Sequence, residues 1–279
     1  MKFIKIYGIQ RTGTNYAEWL CKNNFKDVNV LRDGNILGWK HGPAIPFDSI
    51  DWTGRTWENS KKIDEDDIQE IVSGYLEEAS NIRDDLEIAN SKNDIKFIFC
   101  IRDPYSWLLS RGPKWTGFVD PDEEGDLNCV PLPILFWNRS TLQYYEFYKE
   151  NKEISTIITH WDMIDDPLKQ MKKIQKKFDL DFIHDEFKDQ RKIVGPRGEI
   201  DEGVFKREKY LNKYHWQENI TAQTTVLASA LLDKELMNEL GFDIFSSPVE
   251  EIETLGLVET AFFRGVELGR TGIKDTRLK

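Results

Sequence analysis

The segment Asp94-Ile95-Lys96-Phe97-Ile98-Phe99-Cys100-Ile101-Arg102 constrains the fold of this chain more than any other. A near-continuous apolar run of this length, closed by a turn at Asp103-Pro104, predicts a strand buried on both faces of a parallel sheet. Such a strand needs helices above and below it. The flanking sequence supplies them. Lys2–Gly8 alternates as a first strand, and Thr14–Asn24 carries Tyr16, Trp19 and Leu20 at helical spacing. Val28–Leu31 predicts a second strand. A short helix follows Asp103-Pro104, then a helix over Leu132–Lys149 with a heavy aromatic face, a strand over Glu153–Thr159 and a helix over Pro167–Phe178. Asp166 before Pro167 is placed to cap that last helix. The expectation is one α/β domain over residues 1–279, a three-layer α/β/α arrangement with a central parallel sheet and a helical C-terminal part. Residues 47–94 are polar and acidic, with one amphipathic stretch from Asp66 to about Asn90, and predict a helical insertion. Residues 112–130, rich in Gly, Pro and Asp, predict a long loop of the kind kept for binding.

Composition narrows the function. The chain is 39% hydrophobic with 16 Phe, 9 Tyr and 9 Trp, enough for a sizeable core. No apolar stretch approaches the length that spans a bilayer, and the charged N-terminus does not resemble a secretory signal. Cys21, Cys100 and Cys129 are widely spaced, which predicts neither a disulfide framework nor a metal site. A reducing cytoplasm is the expected compartment. The net charge of −11 argues against a nucleic-acid or acidic-membrane partner, since phosphate contacts need a basic face. One small basic pocket remains compatible with it.

Between the first strand and its helix lies Gly8-Ile9-Gln10-Arg11-Thr12-Gly13-Thr14-Asn15. The two glycines have the spacing of a phosphate loop, and the helix adds its positive N-terminal end. A triphosphate-binding loop has Lys and then Ser or Thr after the second glycine, to neutralise the β/γ-phosphates and to hold Mg²⁺. Here those positions are Thr14 and Asn15, so the loop suits a smaller anion bound without metal. An ordinary Gly-containing turn is the competing reading.

Arg11-Thr12-Gly13-Thr14-Asn15-Tyr16 resembles the sulfotransferase loop Lys-Ser-Gly-Thr-Thr-Trp that grips a 5′-phosphosulfate. The resemblance implies a P-loop-type fold and use of 3′-phosphoadenosine 5′-phosphosulfate (PAPS). It assigns nucleotide contacts to Gly8, Arg11, Thr12, Gly13, Thr14 and Asn15, with Arg11 at the transferring sulfuryl group. Arg in place of Lys keeps the charge and adds a planar fork of donors. Arg102 and Ser110, eight residues apart, resemble the family's pair for the 3′-phosphate. Trp161-Asp162-Met163-Ile164-Asp165-Asp166-Pro167 resembles its Tyr-Glu-Asp-(apolar)-x-x-Asp-Pro segment. Pro196-Arg197-Gly198 weakly resembles the Arg-Lys-Gly segment that closes over the 3′-phosphate, which makes Arg197 a further candidate and Arg191-Lys192 a competing one. Trp39-Lys40-His41-Gly42-Pro43 resembles Lys-x-His-x-Pro, whose His takes the acceptor's proton.

His41 is therefore the expected base and His160 the reserve, with His184 and His215 expected in solvent. The acceptor is a small molecule or glycan carrying a hydroxyl or amine. Acidic residues 119–126 would disfavour a polyanionic glycan. Trp115, Phe118, Trp137 and Tyr144 either line an acceptor face or, as aromatics at such spacing more often do, pack in the core. A nucleotide-dependent kinase and a catalytically silent ligand-binding member are the alternatives.

Overall fold

A computed structural model describes residues 1–31, 37–44, 94–111, 131–189, 192–194, 200–204, 212–220 and 222–245. In chain order these form β1 (Lys2–Tyr7), α1 (Thr14–Asn24), β2 (Val28–Val30), β3 (Ile95–Ile101), α2 (Pro104–Arg111) and α3 (Pro131–Glu150). Then come β4 (Ser155–Thr159), α4 (His160–Asp165), α5 (Pro167–Phe178), β5 (Lys192–Val194), β6 (Ile200–Val204), a 3₁₀ turn (His215–Glu218), α6 (Ala222–Leu231) and α7 (Lys234–Glu239). The insertion over 47–94, apart from its last residue, lies outside the described residues, as do residues 112–130, Arg191 and Arg197.

The central sheet has the order β2-β1-β3-β4, and every neighbouring pair is parallel. Alternation within the strands makes the three layers. Phe3 and Tyr7 of β1 with Ile95, Phe97, Phe99 and Ile101 of β3 face one core, filled by α2, α3, α6 and α7. Ile4, Ile6, Ile98 and Cys100 face the other, filled by α1, α4 and α5. A strand buried on both faces reads as a continuous apolar run, and that is why Ile95–Ile101 stood out in the sequence. The expected α/β/α architecture is the one observed. Asp166 caps α5 through the Lys169 amide at 2.9 Å, with Pro167 in the first turn.

Two details differ from expectation, and one choice the sequence left open is decided. The fourth strand begins at Ser155, because Asn151 to Ile154 form a turn after α3. Trp137 and Tyr144 are fully packed into the core, where Tyr144 stacks on Phe99 at 5.5 Å between centroids. They are unavailable as an acceptor face. Two short strands, β5 and β6, pair antiparallel on either side of Arg197 in the sequence. Cys21 and Cys100 are buried free thiols, and burial pushes the Cys21 thiol up to about 12, so both act as small hydrophobes.

Candidate functional site

In this strand order the chain leaves β1 toward β2 on one side and returns to β3 on the other. The switch point, where parallel sheets place their ligands, is thus the gap between the carboxyl ends of β1 and β3. The loop 8–13 leaves β1 at that gap and Arg102 ends β3 beside it. Gly8 lies hard against β3 and its own loop: a Cβ there would stand 2.5 Å from the Cys100 carbonyl oxygen and 2.5 Å from the Thr12 hydroxyl. No side chain fits. Arg11 and Gly13 have positive φ values of 73° and 90°, and Gly13 opens α1 with no side-chain cap.

Five of the loop's carbonyls are tied, those of Gly8, Gln10 and Arg11 from outside, that of Ile9 within the loop and that of Gly13 by the helix. His41 donates its Nδ1 hydrogen to the Gly8 carbonyl at 2.6 Å, Thr12 its hydroxyl to Ile9 at 2.7 Å, and Trp107 its indole N–H to Gln10 at 2.8 Å. An Arg102 Nη1 donates to the Arg11 carbonyl at 3.2 Å, and the Ala17 amide to Gly13 at 3.0 Å. With its carbonyls so held, the loop turns into a helix start whose earlier N–H groups have no intrahelical acceptor. That is the arrangement in which backbone amides gather around an anion.

Three strand ends and one outer segment converge here. From β3, buried Arg102, 6% exposed, donates Nε to Ser106 Oγ at 3.0 Å. Ser106 donates in turn to the Asp103 carboxylate. Trp137 fixes the Arg102 backbone through an indole hydrogen bond of 2.9 Å to its carbonyl. Ser110 lies one further helical turn along α2 from Ser106, on the same face. From β4, His160 packs against Gly13, its Cδ2 3.1 Å from where a Cβ would be. From outside the sheet, segment 37–44 brings His41.

That segment is clamped at several points. The Gly8 amide donates to the Lys40 carbonyl at 2.9 Å, the Lys5 ammonium to Gly38 at 2.6 Å, and the Tyr144 hydroxyl to Gly42 at 2.8 Å. Tyr7 donates its hydroxyl to the Leu37 carbonyl. Lys40 reaches back to Asn15 Oδ1 at 2.7 Å and pairs with Glu18 at 3.0 Å. A carbonyl only accepts, so the His41–Gly8 bond fixes the proton on Nδ1 and leaves Nε2 with the lone pair in the neutral ring.

The structure therefore brings Gly8, Arg11–Asn15, Arg102 and His41 together, with Arg11 exposed on the loop. Thr12 keeps its hydroxyl inside the loop, and Asn15 gives its side-chain oxygen to Lys40. His184 is exposed and His215 half-buried. Sequence reasoning missed Ser106, Trp107 and the grip of Lys40 on Asn15. Only Ser106, one helical turn from Arg102, left a local signal. Burial, then the charges of Arg102 and His215, hold the His160 imidazole well below its usual value. Among the described residues no group of His, Cys, Asp and Glu could hold a metal ion, and no helix is long and apolar enough to cross a membrane.

No protein-family model matches the chain, and no curated protein matches it at a significant level. What fold and site define is a parallel α/β/α protein whose first strand–helix loop is anchored at the switch point of its sheet.

Proposed function

We propose that this chain is a sulfotransferase that moves a sulfuryl group from PAPS to a hydroxyl or amine of a small-molecule or glycan acceptor. The observation that carries the reading is the loop 8–13, its Gly8 and Gln10 carbonyls tied outward and its fourth carbonyl held by the buried Arg102 from the next strand. The resemblance of Arg11–Tyr16 and Arg102–Ser110 to the sulfotransferase motifs supplies the identity of the anion. Lys40 favours a metal-free reaction: its ammonium already engages Asn15, the position at which a triphosphate loop presents its Mg²⁺ ligand.

In this mechanism the loop amides and Arg11 hold the 5′-phosphosulfate and offset the negative charge that builds on its oxygens. Arg102 and Ser110 hold the 3′-phosphate, and Arg197 closes over it. His41 accepts the acceptor's proton at Nε2, because Nδ1 is already committed to Gly8. As the acceptor oxygen or nitrogen bonds to sulfur, the bond from sulfur to the bridging oxygen breaks. Its electron pair leaves on the 5′-phosphate, and adenosine 3′,5′-bisphosphate is released. The expected setting is the cytoplasm, without nucleic acid or membrane as partner.

Thermal unfolding tests the reading. Adenosine 3′,5′-bisphosphate without metal should raise Tm, and ATP–Mg²⁺ should raise it little, since a ligand stabilises only by binding the native state. Ser110→Ala should weaken the bisphosphate and leave adenosine 5′-phosphosulfate, which lacks the 3′-phosphate, nearly unaffected. Stronger stabilisation by ATP–Mg²⁺ would replace this reading with that of a kinase.

A further inference from the structure

We propose that His160 touches the anion held by the loop and takes up a proton as that anion binds. The inference rests on the anion-binding reading of loop 8–15 and deepens it. Its basis is register. Ile101 of β3 is paired with Thr159 of β4, so Arg102 and His160 are the next residues on adjacent parallel strands, leaving the sheet side by side at its carboxyl edge. Gly13 completes the junction. Lacking a Cβ, it lets the imidazole edge come against the loop, with Cδ2 3.1 Å and Nε2 4.0 Å from the position a Cβ would take. Met163, one turn along α4, packs against the same spot at 2.7 Å and closes the apolar side. Thr159 caps α4 by accepting from the Asp162 amide at 3.1 Å, which fixes the backbone that carries the ring.

Among the described residues, the charged groups acting on His160 are Arg102, at the end of β3, and His215, in the 3₁₀ turn. Gly13 and Met163 bring no charge. Both act against a positive charge on the ring. With burial they keep the ring neutral in the free protein. A doubly charged anion in the loop reverses this balance, since it offsets Arg102 and gives an imidazolium N–H an acceptor. Binding then favours the protonated ring. By linkage the anion binds more tightly as pH falls, by at most about tenfold per pH unit for one proton.

The experiment is isothermal titration of the full chain at neutral pH in two buffers of unequal ionisation enthalpy. Adenosine 5′-phosphosulfate and inorganic sulfate serve as probes, neither of which titrates near neutral pH. The expected result is uptake of a fraction of a proton on binding, abolished by His160→Gln and retained by His215→Gln. Binding of both probes by the wild-type protein without proton uptake overturns the proposal, as does uptake that persists in His160→Gln or vanishes only in His215→Gln. The wild-type measurement stands even if a variant fails to fold. If sulfate binds with His160-dependent uptake and the nucleotide does not bind, the sulfotransferase reading fails and the role of His160 remains.

Discussion

Segment 37–44 reaches the loop through hydrogen bonds, whereas the corner between β4 and α4 reaches it through packing. Lys5, Tyr7, the Gly8 amide and Tyr144 each donate to a carbonyl of the segment, and His41 answers with one bond to Gly8. His160 is placed by packing, its ring lying against Gly13 beside Met163 and Arg102. The difference teaches how two histidines at one loop can do different work. A ring held by a directional bond at Nδ1 presents a defined lone pair at Nε2, as a base must. A ring held by contact and desolvation changes its protonation when the charge around it changes.

The largest expected effect lies on the His41 side. His41→Ala should lower turnover by about 10²–10⁴-fold, the range for a positioned acid–base group, and leave nucleotide affinity nearly unchanged. The wild-type rate should fall as pH drops, because the protonated ring has no lone pair to offer. Near-full turnover in His41→Ala with a large loss in His160→Ala would exchange the roles of the two regions.

The loop between them offers the next test. In Gly8→Ala the added Cβ meets the Cys100 carbonyl, which belongs to the central strand and cannot swing away. The cost should lie near the top of roughly 1–3 kcal/mol in urea unfolding. Gly241→Ala is the control: its φ is 69° with no atom of the described residues within 4 Å of the new one, so backbone strain of about 1 kcal/mol is the expected cost. Equal losses would mean that the close approach of loop and β3 is soft.

The smallest effect sharpens the comparison most. Tyr144→Phe removes one donor to the 37–44 segment and keeps the stacked ring. Burial holds the Tyr144 phenol above its usual range, so it remains a donor throughout the working pH. A lost hydrogen bond of about 0.5–1.5 kcal/mol should appear as a few-fold drop in turnover, with Tm shifts by adenosine 3′,5′-bisphosphate unaltered. A matching loss of nucleotide stabilisation would assign the segment to support of the loop and not to aim of His41.

Much of the layer structure was legible in the residues, because burial on two faces, helical periodicity and caps are local properties. The run Ile95–Ile101, the strand–loop–helix from Lys2 to Asn24 and the Asp166-Pro167 cap each carry their own cause. The loop was legible for the same reason, since Gly8 and Gly13 stand where only glycine fits. Other features depend on the order and register of strands far apart in sequence. Trp137 and Tyr144 looked alike as core or surface until α3 lay across β3 and Tyr7. Arg102 meets Arg11 across 91 positions and Trp107 meets Gln10 across 97. His160 became the neighbour of Gly13 only because β4 pairs with β3 and β3 with β1. Local period and chemistry decide what each segment can become. The stacking of parallel strands, which adds nothing to any one segment's pattern, decided which side chains meet at the carboxyl edge of the sheet.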